Sequence, residues 1–177
     1  MIAKYRTRLT DYLIFENRAT NSGFTLINME KIASFTINHL KLGAGIYVSR
    51  IDDDIITYDL RIRKPYSDEL LTVEEAHSLE HLLATEVRRG TLAKNVVYVG
   101  PMGCMTGFYV LLKGKKEGHV QEIKRAFGAI LNYTQMPGDS KIECGNCKTL
   151  NLKTGIKIAK EYLQKIGEKT VADEYIV

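Results

Sequence analysis

Apolar residues recur along this chain with two different periods, and the switches between them mark out its elements. Ser34-Phe35-Thr36-Ile37-Asn38-His39-Leu40 alternates and reads as a strand. Gly45-Ile46-Tyr47-Val48 continues in that style until Asp52-Asp53-Asp54, which predicts a hairpin turn. Beyond it Ile56, Tyr58, Leu60 and Ile62 alternate with Thr57, Asp59, Arg61 and Arg63. That pattern predicts a strand with one apolar and one polar face, ended by Pro65.

The period then changes. Thr72 followed by Glu75 is a capping-box helix start, and Gly90 a natural stop. Between them Ala76, Leu79, Leu83 and Val87 step by three and four, a buried stripe. Val96 to Val99 and Phe108 to Leu112 predict two more strands, flanking the turn Gly100-Pro101-Met102-Gly103-Cys104. Val120, Ile123, Phe127, Ile130 and Leu131 mark a second helix; Ile156, Ala159, Tyr162, Leu163 and Ile166 mark a third. Strand pairs with intervening helices imply an α+β fold, an antiparallel sheet covered on one face by helices. Residues 1–30, turn-rich from Asn17 to Gly23, read as an N-terminal extension of unknown role, and 31–177 as a single domain.

Composition narrows the function classes. A chain of 177 residues can bury a full core as one domain without staples. Its net charge of +4 is spread out, with no basic run, so nucleic acid is not an expected partner. No apolar stretch reaches the roughly 18 residues of a membrane helix. Lys4, Arg6, Arg8 and Asp11 interrupt the start, which lacks the apolar core of a secretory signal, so a cytoplasmic protein is expected. The three cysteines, 104, 144 and 147, are then free thiols. Cys144-Gly-Asn-Cys147 has the spacing of half a zinc ribbon, but no second pair exists to complete a four-cysteine site.

Chemistry concentrates at His77-Ser-Leu-Glu80-His81, the inverted order of the two-histidine, one-glutamate peptidase motif. Residues four apart share a helix face, so His77 and His81 can reach one metal ion, with Glu80 beside them to handle protons. A third ligand is needed if a fourth position is to stay open. Cys144, as a thiolate, is one candidate; in an inverted-motif zinc hydrolase a carboxylate such as Glu143 would serve. Cys104 sits on a glycine-rich turn where small neighbours permit close approach of a ligand. Taken singly, each of these residues is also compatible with a packing role.

Three motifs in order, His77-Ser-Leu-Glu80-His81-Leu-Leu-Ala, Pro101-Met-Gly-Cys104-Met-Thr-Gly-Phe-Tyr and Cys144-Gly, resemble the S-ribosylhomocysteine lyase (LuxS, autoinducer-2 synthase) family. The resemblance runs from about Ser34 to Ile166. It implies a LuxS/metallohydrolase-like α+β catalytic domain over 31–177. It also implies a homodimer with active sites at the subunit interface, and one divalent metal per subunit, Fe2+ physiologically, with Zn2+ or Co2+ able to substitute. The implied metal ligands are His77, His81 and Cys144, the implied acid/base groups Glu80 and Cys104, and the implied substrate-pocket residues Ser34, His39 and Arg61. The implied reaction splits S-ribosylhomocysteine into homocysteine and 4,5-dihydroxy-2,3-pentanedione, the autoinducer-2 precursor.

That reaction suits these residue types. Expelling a thiolate by β-elimination requires a carbonyl next to an acidic C–H, so the sugar carbonyl must first migrate. Each proton transfer needs a group poised near neutrality, which a thiol near a metal and a partly buried carboxylate can supply. Arg61, on the polar face of its strand, is suited to pair with a substrate carboxylate. The chain departs from the family pattern at Tyr98, where Asp is usual, at Lys64-Pro65-Tyr66, where Gln-Pro-Asn is common, at Asn38, at Cys147 and in the extension before Ile32. Besides the hydrolase, the remaining alternative is a non-catalytic relative that binds a thioether sugar.

Overall fold

In the computed structural model the described residues are 37–66 and 69–167, with the backbone of 173–174. Residues 31–177 form one unit by internal contacts. Strand β1 (Gly45–Asp52) turns at Asp53, whose φ of 53° is the left-handed value a tight turn needs, into β2 (Ile55–Arg61). Helix α1 (Val73–Val87) follows, then β3 (Val96–Pro101), β4 (Gly107–Lys113), α2 (His119–Ile130), α3 (Leu152–Ile166) and the two-residue β5 (Asp173–Glu174). The sheet order is β3-β4-β2-β1-β5. Its first four strands are antiparallel, and β5 adds in parallel to β1. This is the α+β architecture the two periods predict.

Ile46, Val48, Ile56, Tyr58, Leu60, Phe108, Val110 and Leu112 from the sheet share one core with Leu79, Leu82 and Leu83 of α1, Phe127 of α2 and Tyr162 of α3. Helix α1 begins with the expected capping box, Thr72 and Glu75 each satisfying the other's orphan backbone N–H. Its stop differs from expectation. The helix ends at Arg88, and Gly90 serves close packing instead: a Cβ there would lie 1.5 Å from Glu122 Oε1 on α2.

Two further expectations are corrected. Ile37 to Leu40 is not a strand; Ser34 to Thr36 lie outside the described residues. Asn38 folds the segment on itself: its Oδ1 accepts from Leu40 N–H at 3.2 Å and its carbonyl from Lys41 N–H at 3.1 Å. A local Asx turn thus outcompetes the ladder that alternation predicts. In β2 the polar face is as buried as the apolar one, with Asp59 0% and Arg61 2% exposed. Burying that pair gives β2 a chemical face rather than a solvated one.

Candidate metal centre and active site

The capped start of α1 fixes the rotation of the helix, which buries Ala76 and Leu79 and leaves His77 and His81 half-buried at the edge of the stripe. Their rings meet edge to face with centroids 4.8 Å apart. His81 Nδ1 donates to the Pro137 carbonyl at 2.8 Å, which leaves its Nε2 as the free acceptor. His77 Nδ1 lies 2.7 Å from Thr149 Oγ1, and that hydroxyl donates onward to Asn146 O. Both rings are therefore held from behind, through the nitrogen that the ligating one leaves free, as metal-binding imidazoles are.

Cys144 comes from the turn-rich segment before α3. Its Sγ lies 3.4 Å from His77 Nε2 and accepts from Asn146 N–H at 3.4 Å. The ligand atoms of His77, His81 and Cys144 all lie within 4.8 Å of one another. For a tetrahedral ion with bonds of about 2.0–2.1 Å to nitrogen and 2.3 Å to sulfur, the N···S edge is about 3.6 Å, so the set fits a divalent metal with one position open. Burial first, then the neighbouring His81, holds the His77 imidazole below the usual histidine range against the opposing pull of Glu80. A neutral ring is the form that ligates. Glu143 is not in the set: it is exposed and accepts from Ser140 Oγ at 2.6 Å. The carboxylate ligand required by the hydrolase alternative is therefore displaced by the adjacent thiol. Cys147 opens a short 3-10 turn, half-buried, and is also outside the set.

Cys104 occupies the turn between β3 and β4, exposed at the edge of a cavity of about 430 Å³ lined by His39, Pro65, Tyr66, Leu70, Cys104 and Thr106. Its Sγ lies 3.0 Å from Thr106 Oγ1 and 3.8 Å from Arg61 Nη1. Burial acts to raise the thiol, but hydrogen bonds from Thr106 and the Arg61 guanidinium outweigh it and hold the group below the usual thiol range. Arg61 also pairs with Asp59. It is buried beneath this cavity rather than among its lining residues, while His39 lines the cavity directly. His39 Nδ1 donates to Ile37 O at 3.0 Å, which orients the ring. Ser34 lies outside the described residues. Glu80 is half-buried beside His81.

The sequence did not expose Thr149, Pro137 or Gly138. Gly138 has φ +66°, and a Cβ there would meet His81 Nδ1 at 3.1 Å. Thr106 and Asp59 were readable in principle, from the Cys-x-Thr spacing and from the same-face i, i+2 relation to Arg61.

An antiparallel sheet backed by helices, with two helical imidazoles and a cysteine sulfur distant in sequence converging, defines a metal-site α+β protein of the enzyme kind. The comparisons are more specific. The model of the LuxS family, S-ribosylhomocysteinase, matches residues 32–173. The chain is similar to the S-ribosylhomocysteine lyase of Finegoldia magna, 46% identical over 146 residues, covering 78% of this chain and 93% of that protein. It is 40% identical to the S-ribosylhomocysteine lyase of Desulfotalea psychrophila over 156 residues (81% and 98%), and 41% identical to that of Borreliella burgdorferi strain B31 over 144 residues (77% and 92%). The chain belongs to the LuxS family.

Proposed function

We propose that this protein is a metal-dependent carbon–sulfur lyase that converts S-ribosylhomocysteine to homocysteine and 4,5-dihydroxy-2,3-pentanedione. The carrying observation is the convergence of His77, His81 and Cys144 in a chain whose second reactive sulfur, Cys104, is held by Arg61 and Thr106. Residues 31–177 are the catalytic domain in this reading, and residues 1–30 an appended segment.

His77, His81 and Cys144 hold the metal, which when bound supplies Lewis acidity toward the sugar oxygens. Thr149 and Pro137 keep the rings in the ligating tautomer. Cys104 and Glu80 take and return the protons that move the carbonyl along the sugar, one of them finally withdrawing the proton whose loss expels the homocysteine thiolate. His39, Arg61 and Ser34 are the proposed substrate contacts, with His39 on the cavity wall beside Cys104. Fe2+ is the proposed ion; two imidazoles and a thiolate also accept Zn2+ or Co2+.

The substrate must meet Cys104 and the metal together, yet no metal donor lines the Cys104 cavity. Tyr66 and Leu70 on its wall are 84% and 57% exposed. Both facts support a homodimer with the active sites at the interface. Among the described residues no helix is long and apolar enough to cross a membrane, and the three free thiols accord with a cytoplasmic location. In this reading one reaction makes homocysteine available for recycling and 4,5-dihydroxy-2,3-pentanedione available for autoinducer-2 synthesis.

The test is product analysis. Fe2+- or Co2+-loaded protein, incubated without oxygen with S-ribosylhomocysteine, releases homocysteine that a thiol reagent detects. Absence of homocysteine from freshly loaded protein overturns the reading.

A further inference from the structure

Three groups able to donate converge on the sulfur of Cys104. Arg61 Nη1 donates to Thr106 Oγ1, whose own proton is free to go to the sulfur 3.0 Å away, and must be the one shared when that sulfur is deprotonated. The Thr106 backbone also hydrogen-bonds to Cys104, and Arg61 Nη1 completes the set at 3.8 Å. Met105 makes this possible by adopting φ 57°, which folds Thr106 back toward Cys104. A non-glycine residue rarely adopts that region. The turn is held by Met105 packing on the core and by Leu71 N–H donating to the Met105 carbonyl at 2.8 Å.

Behind Arg61 stands Asp59, two residues earlier on the same face of β2 and fully buried. Buried ion pairs are a weak source of stability because desolvation offsets their attraction. Here the pair has an electrostatic consequence. An unneutralised guanidinium beside a sulfur would trap it as a thiolate too weakly basic to take a proton from carbon, whereas Asp59 cancels much of that charge. Among the described residues, the other titratable groups facing Cys104 are Tyr109 on β4, paired in register with Asp59, and Tyr66 and His39 on the cavity wall.

We propose that Asp59 and Thr106 are positioning residues for Cys104: Thr106 fixes the sulfur and donates to it, while Asp59 anchors and neutralises Arg61 so that the sulfur can both accept and release a proton. This rests on the reading of Cys104 as a proton-transfer group. It makes the two residues act in opposite directions. Thr106 favours the thiolate; Asp59 opposes it.

The experiment is the pH dependence of Cys104 alkylation by iodoacetamide in metal-loaded protein without substrate, resolved by peptide mass spectrometry. Thr106→Val is expected to move the midpoint up by about one pH unit, read as roughly tenfold slower alkylation below it. Thr106→Ser should keep the native midpoint. Asp59→Asn is expected to move the midpoint down, with turnover falling through a weaker base rather than through lost substrate affinity. A Thr106→Val midpoint that coincides with the native one, or an Asp59→Asn midpoint that rises, overturns the proposal. Because replacing Asp59 in the core can prevent folding, the near-isosteric Thr106 pair decides by itself in that event. No substrate is present, so the result stands apart from the proposed activity, which Cys104→Ala tests through homocysteine release.

Discussion

Thr149 Oγ1 lies 2.7 Å from Nδ1 of His77 and 3.2 Å from the Asn146 carbonyl, to which its proton goes. The hydroxyl must therefore accept from Nδ1–H, and Nε2 of His77 is left facing Cys144 at 3.4 Å. Thr149 chooses the tautomer. Replacing it by valine keeps the volume but frees the ring to rotate or to carry its proton on Nε2. Metal affinity is expected to fall about 10- to 100-fold, as when other groups that hydrogen-bond a metal-ligating imidazole are removed. Competition with a chelating dye measures it, and Thr149→Ser should retain most of the affinity.

Gly138 governs the second ring from the opposite side. At φ +66° an alanine there is strained by on the order of 1–2 kcal/mol, and its Cβ would press on His81 Nδ1 from 3.1 Å. Either the loop or the ring must give way, and the Pro137 carbonyl that orients His81 sits in that loop. Gly138→Ala is expected to lower both melting temperature and metal affinity. A variant that loses stability but binds metal normally would show that the backbone, not the ring, absorbs the strain.

How far these features could be read beforehand depends on how local their causes are. The capping box at Thr72 and Glu75, the Asp53 hairpin and the α1 stripe involve residues a few positions apart, and they stand where the periodicities put them. The two histidines are local in the same sense; Cys144 was one of two candidates for the third ligand until the family motifs selected it. Thr149, Pro137 and Gly138 act across 56 to 72 positions on rings far away in sequence, through a hydroxyl, a carbonyl and a missing Cβ. Nothing in residue type signals such roles. The buried Asp59–Arg61 face was misread because period two says which residues share a face, not whether that face meets solvent. At Asn38 the failure was the reverse, a three-residue hydrogen-bond pattern overriding a seven-residue alternation.

Metal retention and turnover should separate cleanly by residue. His77→Ala removes a donor and is expected to lose metal and activity together. Glu80→Ala and Cys104→Ala, which remove the two proposed proton carriers, both outside the donor set, should keep metal and lose turnover. Cys147→Ser should keep both, since its sulfur is outside that set. Elemental analysis after dialysis, alongside homocysteine release, reads all four. An active but metal-free His77→Ala protein would contradict the site as described.

His119 is 1% exposed at the start of α2, and its Nδ1 lies 3.0 Å from the hydroxyl of the fully buried Tyr58. Burial pushes the tyrosine up to about 12, so its O–H stays protonated and can donate to a neutral imidazole. Burial also holds His119 below its ordinary value, against a smaller opposing effect of Glu117. The unfolded chain, titrating near 6.5, therefore takes up this proton before the folded one does, and folding stability drops as pH falls below about 6.5. His77 shifts in the same direction, so the comparison must be with a His119 variant in metal-free protein. His119→Gln can still accept from Tyr58 through its amide oxygen but cannot be protonated. Urea unfolding at pH 7.5 and 5.5 should show the native chain losing more stability across that interval than His119→Gln. Equal losses would mean that the buried imidazole contributes nothing to acid sensitivity.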